Sequence, residues 1–109
     1  MKKEYRVKKN QDFQNIIHHN NKIQSKTYRI YYLKNNLDHS SVGITTSKKL
    51  GIAVVRNRIR RQVRAMIRSL LNFEEKIDYV IIVKTNYLDN SFEDNQKDLS
   101  NLLKKIKED

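Results

Sequence analysis

Apolar residues between positions 56 and 71 (RNRIRRQVRAMIRSLL) recur at the spacing of an α-helix. At about 100° per residue they occupy an arc of about 100°, the width typical of a helix face that packs on a core. The pattern therefore predicts an amphipathic helix, called the arginine helix below. Its core-facing residues are Ile59, Val63, Met66, Ile67 and Leu70.

The polar side of the arginine helix carries six arginines and no acidic residue between positions 56 and 68. Like charges repel at i,i+4 spacing, and a polyanion would remove that cost, so the sequence predicts an RNA-binding helix. A solvated basic face is the alternative, although a surface selected for solubility would mix both signs. Beside the apolar stripe lies a flank about 17 Å long, called the arginine flank. Its members are Arg56, Asn57, Arg60, Arg61, Arg64 and Arg68, whereas Arg58 points elsewhere.

Aromatic and β-branched residues predict three strands, at positions 27–34, 41–47 and 77–84. The third strand is the most apolar, as expected for a strand that is covered on both faces. The arginine helix joins the second strand to the third, which predicts a crossover unit.

Side chains alternate between the two faces of a strand, so the first strand has an apolar face and a more polar one. An arginine and a tyrosine on the polar face could receive single-stranded nucleotides by phosphate contact and stacking. The alternative is that Tyr31 is an ordinary, partly buried sheet aromatic. Tyr28, Ile30 and Tyr32 lie on the apolar face, opposite Arg29, Tyr31 and Leu33.

Two further helices are predicted at the ends of the chain. Asn10 is a suitable N-cap for a short helix that ends at Asn20-Asn21, and Ser91 is a suitable N-cap for the last helix. Each has an apolar face. The first face holds Phe13, Ile16 and Ile17, and the second holds Leu99, Leu102, Leu103 and Ile106.

The charge of the chain is concentrated in its first two thirds. The net charge of the whole chain is +11. Residues 1–71 carry 17 basic and 3 acidic groups, a net charge of +14, whereas residues 72–109 carry 6 basic and 9 acidic groups, a net charge of −3. An anionic partner is therefore expected on the N-terminal part. The length fits one domain, 1–109, whose residues 1–9 form a basic, flexible lead-in. Neither a membrane span nor a signal peptide is predicted, so a cytoplasmic location is expected.

Catalytic groups are hard to find in this sequence. It has no cysteine, two glycines and no phosphate-loop pattern. The carboxylate pairs Glu74-Glu75 and Glu93-Asp94 look like turn and capping residues, and adjacent His18 and His19 would point about 100° apart on a helix. We therefore predict no catalytic residue, no metal site and no small-molecule substrate for the protein alone.

Several motifs resemble the protein subunit of bacterial ribonuclease P, the family that processes the 5′ ends of precursor tRNAs. The resemblance is carried mainly by SKKLG at 47–51 and by AVVRNRIRRQVR at 53–64, with its Arg-Asn-Arg centre. It extends over practically the whole chain, through RVKKNQDFQ at 6–14, VGITTSKK at 42–49, DYVIIV at 78–83 and the final LSNLLKKIK.

The resemblance implies an α/β (α+β) two-layer sandwich of order αβββαβα, of the ribosomal protein S5 domain 2-like type. A fourth strand would then lie within residues 22–34, and the crossover around the arginine helix would be left-handed. The resemblance further implies a non-catalytic subunit of an endoribonuclease. A catalytic RNA with Mg²⁺, held mainly by RNA, would perform the hydrolysis, and precursor tRNA would be the substrate.

Two binding surfaces are implied by the same resemblance. Contact with the catalytic RNA would be made by Lys48, Lys49, Arg56, Asn57, Arg58, Arg60, Arg61, Arg64 and Arg68. A cleft between the first helix and the sheet would hold the 5′ leader of precursor tRNA through Lys9, Phe13, Ile17, Arg29 and Tyr31. The family often has an aromatic residue at position 17 and an aliphatic one at position 29. We therefore expect weaker stacking and stronger phosphate contact here.

A structural RNA-binding protein, such as a ribosomal protein or an assembly factor, is the second interpretation, because this sandwich also occurs in ribosomal proteins. The RNA that copurifies with the protein would discriminate between the two. A binder of duplex DNA is disfavoured, since no helix-turn-helix pair precedes the arginine helix.

Overall fold

Three α-helices and four β-strands make up the part of the chain that the computed structural model describes, residues 10–35 and 39–108. Their order, αβββαβα, confirms the predicted fold class. The basic lead-in at residues 1–9 lies outside the described residues. The helices are α1 (Asn10–His18), α2 (Ala53–Leu70) and α3 (Phe92–Glu108), and the strands are β1 (Lys22–Gln24), β2 (Tyr28–Lys34), β3 (Ser41–Thr46) and β4 (Ile77–Val83).

The four strands form one mixed sheet in the order β1-β2-β4-β3. β4 runs parallel to β3 and antiparallel to β2, and β1 pairs with β2 as an antiparallel edge strand. Helix α2 connects the parallel pair, so the predicted crossover unit is confirmed, while its handedness stays a prediction. Periodicity did not predict β1, because three residues are too few to show an alternating pattern.

One face of the sheet is covered by α2 and α3, which form the second layer of the sandwich. Tyr28, Ile30 and Tyr79 are fully buried there, beside the predicted apolar stripes of both helices. On α2, four of the five predicted core residues are buried and Leu70 is half-buried. On α3, all four predicted residues, Leu99, Leu102, Leu103 and Ile106, are buried.

Helix α1 lies on the opposite face, against β2 and β4. Ile16 packs there with Tyr31 and Val80 in a smaller buried cluster. The helix ends at His18, close to the predicted stop at Asn20-Asn21, and Asn20 has a φ of 58°, in the left-handed region. Asparagine tolerates that conformation better than most residues, which explains how α1 stops without a glycine.

Candidate nucleic-acid interface

Every residue of the predicted arginine flank reaches the surface of α2. Arg56, Arg60 and Arg64 are half-buried, because they lie closest to the apolar stripe. The remaining members are exposed, as is Arg58 on another side of the helix. The fully exposed residues are Asn57, Arg58, Arg61 and Arg68.

Arg60 is held in place by two hydrogen bonds. Its Nη1 donates to the hydroxyl of Thr46 at 2.9 Å, and its Nη2 donates to Oδ1 of Asn57. The first bond joins α2 to the end of β3, and the second joins two residues one helical turn apart. The guanidinium is therefore oriented before any ligand arrives.

Lys48 and Lys49 lie in a 3-10 turn, Lys48–Leu50, between β3 and α2. The Ser47 hydroxyl caps this turn by accepting from the backbone N–H of Lys49 at 3.2 Å, and Leu50 anchors it in the core. Gly51 ends it with a φ of 122°, which larger residues rarely adopt. Both lysines are exposed, so they extend the positive surface beyond the first turn of α2.

The predicted leader residues lie on the α1 face of the sheet, in two groups. Phe13 and Ile17 of α1 are half-buried, whereas Tyr31 is only 8% exposed beneath them. Arg29 lies towards the other end of the sheet, where its Nε donates to Oε1 of Gln24 at 3.3 Å. Lys9 lies outside the described residues. The structure thus leaves little of the Tyr31 ring available for stacking.

A lysine that the sequence analysis missed lies beside Arg29. The Nζ of Lys84 donates to Oε1 of Gln24 at 3.0 Å and to the carbonyl of Ser25 at 2.7 Å. Desolvation is the main cause that lowers the pKa of Lys84, and the nearby charge of Arg29 contributes. Alternation from Val80 places Lys84 on the α1 face, but only the pairing of β2 with β4 shows that it meets Arg29.

Arg29 pairs with Ile82 across β2 and β4, and Ile82 pairs with Thr45 across β4 and β3. Cross-strand partners lie on the same face of a sheet, so these three side chains form a row on the α1 face. The next residue of β3, Thr46, accepts the hydrogen bond from Arg60. Successive residues of a strand face opposite sides of the sheet, so Thr46 and Arg60 lie on the side opposite the row. The row therefore ends at edge strand β3, and the arginine flank lies across that strand.

The described residues contain no group of three or more histidine, cysteine or acidic side chains that could hold a metal ion. Glu74 and Glu75 lie in a 3-10 turn capped by Asn72, and Glu75 forms a 3.1 Å ion pair with Lys107. Within residues 10–35 and 39–108, no helix is long and apolar enough to cross a membrane.

Comparison with known proteins identifies the family. The model of the ribonuclease P family matches residues 1–107. The chain belongs to the ribonuclease P protein family. Among similar chains, the ribonuclease P protein component of Mesoplasma florum is 41% identical over 105 residues, which cover 94% of this chain and 96% of that one. The component of Clostridioides difficile is 41% identical over 103 residues, or 91% and 89% of the two chains.

Solved structures of family members share the fold. The RNase P protein of Staphylococcus aureus superimposes with a TM-score of 0.84 at 34% identity, covering 94% of this chain and 95% of that one. A mutant of that protein with defective mRNA degradation activity superimposes with a TM-score of 0.89 at 34% identity, covering 96% of this chain and 90% of that one. The RNase P protein of Thermotoga maritima superimposes with a TM-score of 0.80 at 27% identity, covering 92% of this chain and 96% of that one.

Family membership confirms the resemblance that the motifs indicated. The chain is a protein component of ribonuclease P, a ribonucleoprotein nuclease of tRNA processing. The fold and the family do not assign roles to single side chains.

Proposed function

We propose that the protein binds the catalytic RNA through the arginine flank, with Arg58, Lys48 and Lys49, and binds the 5′ leader of precursor tRNA on the α1 face of the sheet. The observation that supports this most is the row of Arg29, Ile82 and Thr45. The row reaches edge strand β3, and Arg60 contacts the next residue of that strand from the opposite face. One RNA strand that passes around this edge would therefore meet both the leader surface and the RNA-binding helix.

The arginine flank suits phosphates rather than bases. Guanidinium groups bind phosphate oxygens with paired hydrogen bonds, and each contact releases counterions from the RNA. Arg60 is oriented by Thr46 and Asn57, so little side-chain entropy would be lost when it binds.

The leader surface combines an apolar centre with a basic end. Ile82 is half-buried at its centre, and the half-buried Arg29 and Lys84 supply positive charge at its end. Phe13 supplies the more accessible aromatic ring, because Tyr31 is largely covered by α1. This composition favours a single strand held by phosphate contacts and by limited stacking.

We assign the chemistry of leader removal to the RNA subunit and its Mg²⁺ ions. The described residues include no group of three or more histidine, cysteine or acidic side chains that could hold the metal ions of such a reaction. The role of the protein would be to screen the repulsion between two RNAs and to hold the leader. This role would be exercised in the cytoplasm, where precursor tRNA is processed.

The test is multiple-turnover cleavage of precursor tRNA by RNA alone, protein alone and the mixture at near-physiological salt. We expect the mixture to cleave, the RNA alone to require high Mg²⁺ and salt, and the protein alone to be inactive. Sequencing the RNA that copurifies with the protein gives an independent check. Correct 5′ processing by RNA-free protein, or ribosomal RNA as the main bound species, would contradict the proposal.

A further inference from the structure

Two cations meet at one corner of the sheet, where β1 pairs with the start of β2. Gln24 and Arg29 are cross-strand partners, so their side chains share the α1 face. Lys84 follows directly on β4, and its backbone N–H donates to the carbonyl of Thr27 at 2.8 Å, which holds it beside the same corner. Gln24 is exposed, and the other two side chains are half-buried. The three residues Gln24, Arg29 and Lys84 are called the corner site below.

Gln24 joins the two cations through a single oxygen. Its Oε1 accepts from Nε of Arg29 at 3.3 Å and from Nζ of Lys84 at 3.0 Å, and both bonds lie at the exposed surface. The Lys84 Nζ also donates to the carbonyl of Ser25 at 2.7 Å. Within the described residues, both Nη groups of Arg29 and the remaining N–H of the Lys84 ammonium have no hydrogen-bond partner. The corner site therefore has free donors on each of its two cations.

The positive charge of the corner site is not neutralised by an acidic partner. Neither Arg29 nor Lys84 forms an ion pair with the part of the chain that the structure describes. Desolvation and the charge of Arg29 lower the pKa of Lys84, and the charge of Asp98 only partly offsets them. The Asp98 carboxylate instead accepts from the Ser25 hydroxyl, with 2.9 Å between Oγ and Oδ2. Since two neighbouring cations repel each other, an anion that contacts both of them would be stabilised at this corner.

We propose that the corner site binds a terminal phosphate, the 5′-phosphate of a short leader, and that Gln24 positions the two cations for it. The Nη groups of Arg29 would donate to two of the phosphate oxygens, and the free N–H of Lys84 would donate to the third. Gln24 would contact the cations and not the phosphate, so it acts as a positioning residue. The inference rests on the proposed function, which brings the leader across the α1 face.

Charge and position favour a terminal phosphate over an internal one. A phosphodiester carries a single negative charge, which one guanidinium can neutralise, whereas a terminal phosphate carries about two charges and has three acceptor oxygens. The row of Arg29, Ile82 and Thr45 spans two strand spacings, about 10 Å, and only edge strand β1 lies beyond Arg29. A leader that enters at β3 would therefore reach the corner site last, where a short leader ends.

The first test is an NMR titration of the ¹⁵N-labelled full-length protein with three dinucleotides at low salt. They are pUpU, which has a 5′-phosphate, UpU, which lacks it, and the methyl ester of pUpU, in which that phosphate is a diester. We expect pUpU to shift the side-chain amide of Gln24 and the Nε–H of Arg29 at about tenfold lower concentration than the other two, because only pUpU neutralises both cations. Equal responses to the three compounds, or none at these two groups, would overturn the proposal.

Two variants with the same charge change control for electrostatics. Gln24→Glu places a carboxylate between the cations and should abolish the difference between pUpU and its methyl ester. Gln11→Glu adds the same charge at an exposed position of α1 and should preserve that difference. If both variants behave alike, the corner site does not bind the phosphate.

The positioning role of Gln24 is tested by a variant without a charge change. Gln24→Leu removes the shared acceptor, so it should reduce the preference for pUpU and should speed the exchange of the Arg29 Nε–H with water. A Gln24→Leu variant that keeps the full preference would show that Gln24 does not position the cations.

The leader as the source of the phosphate is tested in the assembled ribonucleoprotein. Precursor tRNAs whose leaders increase by one nucleotide at a time are compared with a 5′-phosphate and with a 5′-hydroxyl. The 5′-phosphate should tighten binding about tenfold only over a narrow range of leader lengths, because longer leaders place an internal phosphodiester at the corner site. Gln24→Glu should remove this gain. A 5′-phosphate effect that is equal at every length, or absent at every length, would overturn the leader as the source. The dinucleotide titration needs no catalytic RNA, so its failure is distinguishable from a failure of the proposed function.

Discussion

Arg60 donates a 2.9 Å hydrogen bond to the hydroxyl of Thr46, and this contact joins the RNA-binding helix to the sheet that carries the leader surface. Thr46 follows Thr45, the last member of the row on the α1 face. The contact ties Arg60 to the strand whose opposite face carries the end of that row. A shift of α2 along β3 would disturb both surfaces together.

The arginine flank should dominate the salt dependence of RNA binding. Each of Arg60→Ala, Arg64→Ala and Arg68→Ala should reduce the slope of log affinity against log salt by about one unit, since each removes about one phosphate contact. Filter binding to the catalytic RNA at several salt concentrations measures the slope. Lys104→Ala, an exposed position on α3, removes the same charge away from the flank and should leave the slope unchanged. Unchanged slopes in all three arginine variants would exclude the flank from the interface.

The leader surface should matter only when the substrate has a leader. Phe13→Ala should weaken binding of precursor tRNA to the assembled ribonucleoprotein by about 1 to 3 kcal/mol, the range for one lost base stack. Mature tRNA should bind with unchanged affinity. Tyr31→Ala is a poorer test, because that residue is only 8% exposed and its loss would open a cavity under α1.

Competition binding with the two RNAs measures this difference, and thermal melts of the free variant exclude a folding defect. Arg29→Gln and Lys84→Gln should likewise weaken only precursor binding, because both cations lie at the end of the leader surface. An equal loss of affinity for both RNAs would show that the α1 face is not a leader site.

Most elements of the fold were predictable because their patterns are local. Spacing along a few helical turns predicted the apolar stripes of α2 and α3, and the residue before the helix predicted the N-cap at Ser91. Residue type and alternation predicted strands β2 to β4. The order of the strands is not local, since β4 lies between β2 and β3 only after the crossover. The neighbouring positions of Lys84 and Arg29 depend on that pairing.

Alternation likewise placed Tyr31 on the correct face but could not show how far α1 covers it. Side-chain faces follow from the two-residue period of a strand, whereas burial depends on the helix that packs there. A cavity of about 260 Å³ is lined by Arg58 and Gln62 of α2 and by Phe92 and Asn95 of α3, residues far apart in the chain, so no sequence pattern indicated it.

Two fully buried tyrosines provide a matched test of the core. The Tyr28 hydroxyl donates to the Asn95 carbonyl at 3.0 Å, whereas the Tyr79 hydroxyl has no hydrogen-bond partner within the described residues. Tyr28→Phe should lower the free energy of unfolding by about 1 kcal/mol, because it removes a buried hydrogen bond. Tyr79→Phe should leave it unchanged or raise it by about 1 kcal/mol. Urea denaturation measures both, and an equal loss in the two variants would contradict the assignment.

Asp78 should make the stability depend on pH in a direction opposite to that of a salt-bridged carboxylate. Burial is the main cause that raises the pKa of Asp78, and the charge of Asp12 raises it further. Hydrogen bonds from the Asn35 amide, at 2.6 Å, and from the backbone of Ser41 lower this pKa, as does the charge of His39. Since the folded pKa is above the unfolded value of about 3.9, this stabilisation is complete below about pH 3.9 and is lost as pH rises through the folded pKa.

The Asp78→Asn variant removes that titration. The free energy of unfolding of the wild type minus that of the variant should therefore fall as the pH rises from about 4 to about 7. Urea melts of both proteins across this range give the difference directly, and a difference that is constant with pH would contradict the prediction.

The central position of β4 has a consequence for how the chain folds during synthesis. β4 pairs with both β2 and β3, yet it is made after both of them and after the whole of α2. A chain that leaves the ribosome from its N-terminus therefore exposes its most cationic part, residues 1–71, before the strand that completes the sheet is available. RNA that is present during synthesis would encounter the arginine helix before the core beneath it is closed. Because such RNA binds the folded form, it would favour formation of the late β4 pairing by mass action.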